Sequence, residues 1–340
     1  MCNHQNRKIT LGIGLTDRCN ADCPHCYSRP ENSPHDIPFE TIKAIVDKLP
    51  LKSVNFGTGE SIFHPQFLPI IEYVSSRGID MAVTTNGTTA VELSDEHLKL
   101  FHDLDFSLDF PTVPEHDGWR SPGMFKSVVD GLERCAKLGV EASIVACLMK
   151  NNYHRMGALT EFAVKMGVNL RINVYKPVYR AVYKTSYQEF WSAVSAMADK
   201  AYFISCTEPI VCAAIGKNGS NSLGSPCGQH SLRIHPDGKV VSCIYFTRSD
   251  LTIMDLIEDS DAVFASSQKA IDLPLNKICQ GCEHLTVCQG GCASRRIYDR
   301  TDIDEYCFIR QNEKPKIAAK WKNSKGLVHE DYLCTMIFSG

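Results

Sequence analysis

The sequence predicts an α/β protein in two parts: six βα units that curl into a full or partial barrel, then a small Cys-rich α+β domain. Three observations predict it. Between residue 11 and about residue 203, short β-branched runs alternate with longer amphipathic stretches, the pattern of strands and covering helices around a parallel sheet. Past residue 205 the alternation gives way to Cys-, Gly- and Ser-rich sequence of weak periodicity. The 340 residues include 16 Cys. Without an export signal, reducing conditions make structural disulfides a poor explanation, and the thiols read as metal ligands.

The strands are expected at 11–16, 53–56, 81–85, 105–110, 141–148 and 169–175, and the helices that follow them at 38–48, 64–77, 94–101, 124–138, 154–166 and 186–201. Several of these helices open on a Pro, Ser or Asp near the first turn. Gly78, Gly139 and Gly167 stand where helices should stop, each just before a strand. In such an array the chemistry gathers at the C-terminal ends of the strands. The expected organisation is a barrel over 1–205, a linker over 206–226 that includes the loop-like KNGSNSLGSP, a Cys-rich domain over 227–310, and a C-terminal helix and tail over 311–340. The Cys-rich domain opens on LRIHPDGKVVSC, a β-hairpin with Asp237-Gly238 in its turn. In the last segment Lys314, Lys316, Lys320, Lys322 and Lys325 precede the apolar YLCTMIF.

Lys and Arg number 36 against 39 Asp and Glu, a net charge of −3, which argues against nucleic acid or anionic lipid as a general partner. No apolar run approaches the roughly 18 residues of a membrane span, and residues 1–14 lack a signal-peptide core. An unexported, cytoplasmic protein with no membrane partner is expected.

In the loop leaving the first strand, LTDRCNADCPHCYSRP places Cys19, Cys23 and Cys26 at C-x3-C-x2-C. Three thiolates can hold three irons of a [4Fe-4S] cubane and leave the fourth as a Lewis-acidic position open to substrate. Zinc with His25 as a fourth ligand, or three plain thiols in a loop, are the competing readings. Downstream, CQGCEHLTVCQGGC gives Cys279-x2-Cys282-x5-Cys288-x3-Cys292, with Cys307 beyond. That spacing points to metal, with zinc as the competitor.

The first motif, placed at the exit of the first strand of a βα array, resembles the signature of the radical S-adenosylmethionine (SAM) superfamily. The fold this implies is a partial (β/α)6 barrel. The resemblance further implies that Cys19, Cys23 and Cys26 bind a [4Fe-4S] cluster whose open iron chelates the methionine amino and carboxylate groups of SAM. One electron from that cluster then gives a 5′-deoxyadenosyl radical. His25 takes the aromatic position before the last Cys. VNFGTGES resembles the family's Gly-Gly-Glu-Pro motif as Gly57-Thr58-Gly59-Glu60-Ser61, with one Gly displaced and the Pro lost, which implies Glu60 near the methionine amino group. A tight βα turn is the plain alternative. Asn86, Ser107 and Asp109, at the third and fourth strand ends, fall where the family places adenine and ribose contacts. Arg171 or Asn173 on the sixth strand falls within reach of the SAM carboxylate or ribose. A turn Asn, a capping Asp and an ordinary half-buried strand are the alternatives here.

CGQHSLRIHPDGKVVSC, taken with the downstream Cys run, resembles the SPASM domain, an extension of radical SAM enzymes that carries two auxiliary [4Fe-4S] clusters. By position Cys227, Cys243 and Cys292 are implied for the first, and Cys279, Cys282, Cys288 and Cys307 for the second. A further family Cys falls here on Asn221. Either Cys212 or Cys206 closes the first auxiliary cluster, or an open iron remains that could bind a substrate thiolate or amide. Of the other thiols, Cys135 and Cys147 read as small core residues, Cys2 as inert, and Cys334 as an inert tail thiol or a proton or hydrogen-atom donor.

Radical SAM enzymes with SPASM domains mostly modify peptides or proteins. The resemblance therefore implies hydrogen abstraction from a ribosomal precursor peptide, leading to a crosslink, thioether, epimerisation, oxidation or backbone excision, with an electron donor of flavodoxin or ferredoxin type. The alternatives are a small-molecule substrate such as a tetrapyrrole or cofactor precursor, a non-catalytic iron-sulfur electron carrier, and a zinc-binding module. With the first strand at residue 11, no N-terminal leader-binding module is expected. Recognition then falls to the barrel mouth, the tail or a small helper protein. Tyr175, Tyr179 and Tyr183 either line that mouth or are plain packing residues.

Overall fold

The computed structural model describes residues 8–28, 34–216, 227–229, 231–324, 326–331 and 333–340. Six strands, β1 (Ile9–Gly14), β2 (Leu51–Gly57), β3 (Asp80–Thr85), β4 (Asp103–Ser107), β5 (Glu141–Leu148) and β6 (Asn169–Val174), pair in chain order and all in parallel. Four more extend the sheet: β7 (Tyr202–Cys206), β8 (Ser231–Ile234), β9 (Val240–Val241) and β10 (Thr335–Ser339). The ten-stranded order is β7-β10-β6-β5-β4-β3-β2-β1-β8-β9, an open partial barrel.

Period-2 alternation explains why this sheet encloses a site. Leu11, Ile13, Val54, Phe56, Met81, Val83, Leu104, Phe106, Ile144, Leu148, Leu170 and Ile172 all join the main apolar core. There they pack under helices that include Phe39–Lys48, Phe67–Ser76, Met124–Leu138, Met156–Met166 and Tyr187–Lys200. The alternate positions are polar or small: Gly14, Asn55, Gly57, Thr84, Ser107, Arg171 and Asn173 face a common cavity. Each polar interior position adds no apolar burial, so the outer face carries the hydrophobic stabilisation. The helix stops fall where expected, with Gly78, Gly139 and Gly167 at φ +67°, +69° and +70°, a left-handed conformation that costs glycine little.

The hairpin forms as β8 and β9, with Gly238 at φ +83° in the turn, and β8 pairs in parallel with β1. The Cys-rich half thus continues the barrel sheet. Residues 206–226 are not wholly a linker: Cys206 ends β7, and a helix spans Pro209–Ile215. The Gly/Ser-rich 217–226 with Asn221, like Cys2, lies outside the described residues.

The last 30 residues differ most from expectation. Instead of a helix and free tail, they supply β10, antiparallel to both β6 and β7. Thr335, Met336, Ile337 and Phe338 are all buried, and the Phe338 ring lies 4.5 Å from that of Phe203. Five residues of β-prone sequence satisfy two sheet edges at once, a larger gain than a short isolated helix offers. Before it, His329 is buried at the barrel base, with Nδ1 3.3 Å from Asp103 and Nε2 2.9 Å from Asp105. Val328 N–H donates to Asp103 at 3.1 Å. Burial alone would raise the Asp103 pKa, but hydrogen bonds from His102, His329 and Val328 hold it below the usual carboxylate range.

Candidate active site

The cavity at the C-terminal ends of β1 to β6 has a volume of about 670 Å³, within the roughly 300–1,000 Å³ of ligand pockets. Cys19, Cys23 and Cys26, in the loop after β1, all line it. Two features brace this loop. Cys26 N–H donates to the Cys23 carbonyl at 3.1 Å, and Glu60 N–H to the Arg18 carbonyl at 2.8 Å. The second contact brings the β2 turn against the loop so closely that a Cβ on Gly59 would meet the Thr16 and Arg18 carbonyl oxygens at 2.6 Å. With φ at +60°, only glycine fits there without strain.

Glu60 is fastened by hydrogen bonds within the chain. It lines the cavity, but its buried carboxylate accepts the N–H groups of Asn86 and Thr89, each at 2.8 Å, and the hydroxyls of Thr85 and Thr89. Burial pushes its pKa up against these bonds. The carboxylate fastens the loop after β3. Asn86 in turn donates from Nδ2 to Asn20 at 2.8 Å and lies 3.8 Å from the Cys19 sulfur. Ser107 lines the cavity.

Asp109 does not line the cavity where the ribose contact is expected. It is fully buried behind the cavity wall, accepting Arg120 Nε at 2.8 Å and Cys147 N–H at 2.9 Å, with His25 Nε2 at 3.7 Å. Burial would raise its pKa; Arg120, then His25 and His116, hold it down to about 2. Through it the structure positions Arg120, whose Nη1 lies 3.8 Å from the Cys23 sulfur. His25 receives a hydrogen bond from Trp119 Nε1 at 2.9 Å on Nδ1 and stacks on that ring. With both ring nitrogens facing Trp119 and Asp109, His25 is not placed as a fourth ligand to zinc. Arg120 and Trp119 went unnoticed in the sequence; the helix Val113–Trp119 that carries Trp119 starts on a Pro-containing turn, which is a recognisable N-terminal signal.

Neighbouring His116 yields a pH prediction. Burial first, then Arg120, lowers its pKa to about 4, below the unfolded value of about 6.5. The folded state binds this proton more weakly than the unfolded chain. The stability present above pH 6.5 is therefore lost as pH falls toward 4, by roughly 3 kcal/mol over the whole window. His116→Gln is expected to flatten the melting-temperature profile between pH 6.5 and 4; a slope identical to that of the unaltered protein would contradict it.

Arg171 is 2% exposed and pairs with Asp105. Its Nε and Nη1 have no hydrogen-bond partner among the described residues, and the residue lines the cavity floor beside Arg233 and Asn173. Of the three tyrosines, Tyr175 lines the cavity, Tyr183 packs edge-on against Tyr175 and Trp119, and Tyr179 is exposed.

Eight of the other thiols gather in two recesses. Cys279, Cys282, Cys288 and Cys307 share one with Ile210, Phe308 and other apolar residues. Cys227, Cys243, Cys292 and Cys334 share the other. Cys212 is not among them. Its Sγ donates to the Cys206 carbonyl at 3.0 Å and lies 3.4 Å from the Cys206 sulfur, because the helix Pro209–Ile215 turns it into the apolar core. Cys135 and Cys147 sit in the helix and strand foreseen for them, but Cys147 faces the main cavity.

An open parallel barrel with three loop thiols at its mouth is the architecture of a radical SAM domain, and residues 13–163 match the family model of the Radical SAM superfamily. Over those residues the chain is similar to that superfamily. Among curated relatives, mycofactocin maturase MftC of Mycobacterium tuberculosis is 23% identical over 324 residues, covering 87% of this chain and 81% of the relative. A probable GTP 3',8-cyclase of Methanothermobacter marburgensis is 30% identical over 186 residues, covering 50% of this chain and 58% of the relative. Among solved structures, Streptococcus suis SuiB bound to its precursor peptide SuiA superposes with a TM-score of 0.68 at 15% identity, covering 89% of this chain and 76% of that one. No helix among the described residues is long and apolar enough to cross a membrane.

Proposed function

We propose that this protein is a radical SAM peptide maturase that cleaves SAM reductively and abstracts hydrogen from a ribosomal precursor peptide. One observation carries the reading: similarity to mycofactocin maturase MftC runs through both halves, over 87% of the chain, whereas the cyclase match spans only 50%. SuiB with its precursor peptide offers the same fold in a peptide-bound state.

Cys19, Cys23 and Cys26 would hold the SAM-binding cluster, and an all-thiolate donor set at the rim of a large cavity fits it. When bound, that cluster supplies the electron that breaks a C–S bond of SAM. The protein's own part is placement. Arg120 and Asn86 direct N–H groups toward two of the thiols, Arg171 offers unpartnered guanidinium N–H groups to a carboxylate, and the apolar core behind the strands keeps water out. Cys279, Cys282, Cys288 and Cys307 would hold one auxiliary cluster, with Cys227, Cys243 and Cys292 serving another. A flavodoxin- or ferredoxin-type donor, a small leader-binding helper and a cytoplasmic location complete the proposal.

The test is anaerobic. The reconstituted protein is incubated with dithionite and SAM, with and without short candidate precursor peptides. Expected are 5′-deoxyadenosine and a SAM-dependent mass change in a peptide. Iron uptake without SAM cleavage would replace the reading with an electron carrier; turnover stimulated only by small molecules would replace the substrate class.

A further inference from the structure

Of the recesses outside the main cavity, one holds a thiol that the family pattern does not supply. Resting on the reading above, we propose that Cys334, from the C-terminal segment, is the fourth thiolate of the first auxiliary cluster, so that this cluster is closed by protein and has no iron open to substrate.

Cys227, Cys243, Cys292 and Cys334 line one recess, and three of them form a buried cluster of their own. The Cys227 and Cys334 sulfurs lie 3.7 Å apart, well beyond the roughly 2.05 Å of a disulfide. Four thiolates are the usual complement of a [4Fe-4S] cluster. The other nominees are placed elsewhere: Cys206 and Cys212 face each other in the core.

Cys334 is also held in place. Thr335 N–H donates to Thr207 Oγ1 at 3.1 Å, Thr207 N–H to the Thr335 carbonyl at 2.8 Å, and Thr335 Oγ1 to the Ile172 carbonyl at 2.8 Å. The Thr207 hydroxyl bonds the Leu333 carbonyl on the other side. β10 anchors the chain after Cys334, and His329 with Asp103 and Asp105 anchors it before. A thiol delivered by so constrained a backbone is preorganised as a ligand. Lys176, 3% exposed, lines the same recess and places a positive charge where four thiolates and a cluster would accumulate negative charge. Asn173, Tyr245 and Leu333 line both this recess and the main cavity. A closed cluster there suits electron relay to the cavity, not substrate coordination.

The test removes the SAM-binding thiols (Cys19→Ala, Cys23→Ala, Cys26→Ala) so that auxiliary signals stand alone, then adds Cys334→Ala, Cys334→Ser or Cys212→Ala. Each protein is reconstituted anaerobically and assayed for iron and by electron paramagnetic resonance after reduction, with and without cyanide. The parent is expected to hold about 8 irons, two clusters' worth, with a spectrum that cyanide leaves unchanged. Cys334→Ala should lose about 4 irons or keep them with a spectrum that cyanide now shifts. The nearly isosteric Cys334→Ser should alter the spectrum while the circular dichroism stays native. Cys212→Ala should match the parent. A cyanide-responsive parent, a Cys334→Ser spectrum identical to the parent, or a Cys212→Ala variant that alone changes would overturn the assignment while leaving the maturase reading intact. A parent that takes up no iron would sink the auxiliary clusters altogether, and unaltered protein that cleaves no SAM would sink the maturase reading separately.

Discussion

An anaerobically reconstituted variant carrying Cys19→Ala, Cys23→Ala and Cys26→Ala yields no 5′-deoxyadenosine from SAM and holds about 4 fewer irons than the unaltered protein, the content of one [4Fe-4S] cluster. The loss is expected to be complete because all three thiolates of the motif are removed and neither His25 nor Glu60 is placed to replace them. His25 is turned to Trp119 and Asp109, and the Glu60 carboxylate is already bonded to Asn86, Thr85 and Thr89. The remaining iron should stay, since the other eight clustered thiols line two different recesses. Iron analysis with mass spectrometry of the nucleoside product reads both effects. Residual 5′-deoxyadenosine above that of a protein-free control, or a fall to no iron at all, would contradict the independence of the three sites. Arg120 and Asn86, each 3.8 Å from a motif sulfur, remain in the variant, so the experiment isolates ligation from the polar setting around it.

The parts of this protein legible in its sequence are those whose signal is local. Six strands and their helices could be read because β-branched runs and 3.6-residue periodicity lie within single segments. The Cys spacings were legible for the same reason. What escaped depends on partners distant in the chain. Glu60 reads as a free carboxylate until Thr85 and Thr89, 25 and 29 residues on, are seen to surround it. Asp109 looks like a ribose contact until Arg120 and His25 close on it. Arg120 meets Cys23 across 97 residues. The C-terminal strand shows the limit most clearly. YLCTMIF is β-prone, but nothing local says that the edge of β6 needs a partner or that the chain returns through the barrel base to provide one. The position of Cys334 follows from that topology, which is why a family Cys position falling on Asn221 points upstream to Cys212 or Cys206 and not to the C-terminal strand.

The largest stability effect should come from Arg295, which lies three residues after Cys292 in the helix Ala293–Asp299. Its Nη2 is 2.6 Å from both Glu208 Oε1 and Asp304 Oδ2, and all three side chains are fully buried. Burying one cation with two carboxylates is costly, yet breaking such a set costs more, because Arg295→Met leaves two buried carboxylates without their cation. The variant is expected to lose about 3–5 kcal/mol in chemical denaturation. Asp304 Oδ2 also accepts Cys292 N–H at 2.7 Å, so the damage should reach the recess that Cys292 shares with Cys227, Cys243 and Cys334. Iron content should fall by about 4 at denaturant concentrations too low to unfold the chain. A control separates charge from volume: Arg295→Met combined with Glu208→Gln and Asp304→Asn removes the stranded charges and should recover part of the stability. It should not restore full iron binding, because the neutral amide at 304 is a weaker acceptor for the Cys292 N–H than the carboxylate. Equal stability of single and triple variants would show that packing, not charge pairing, holds this helix in place, and the link from Arg295 through Asp304 to Cys292 would then fall.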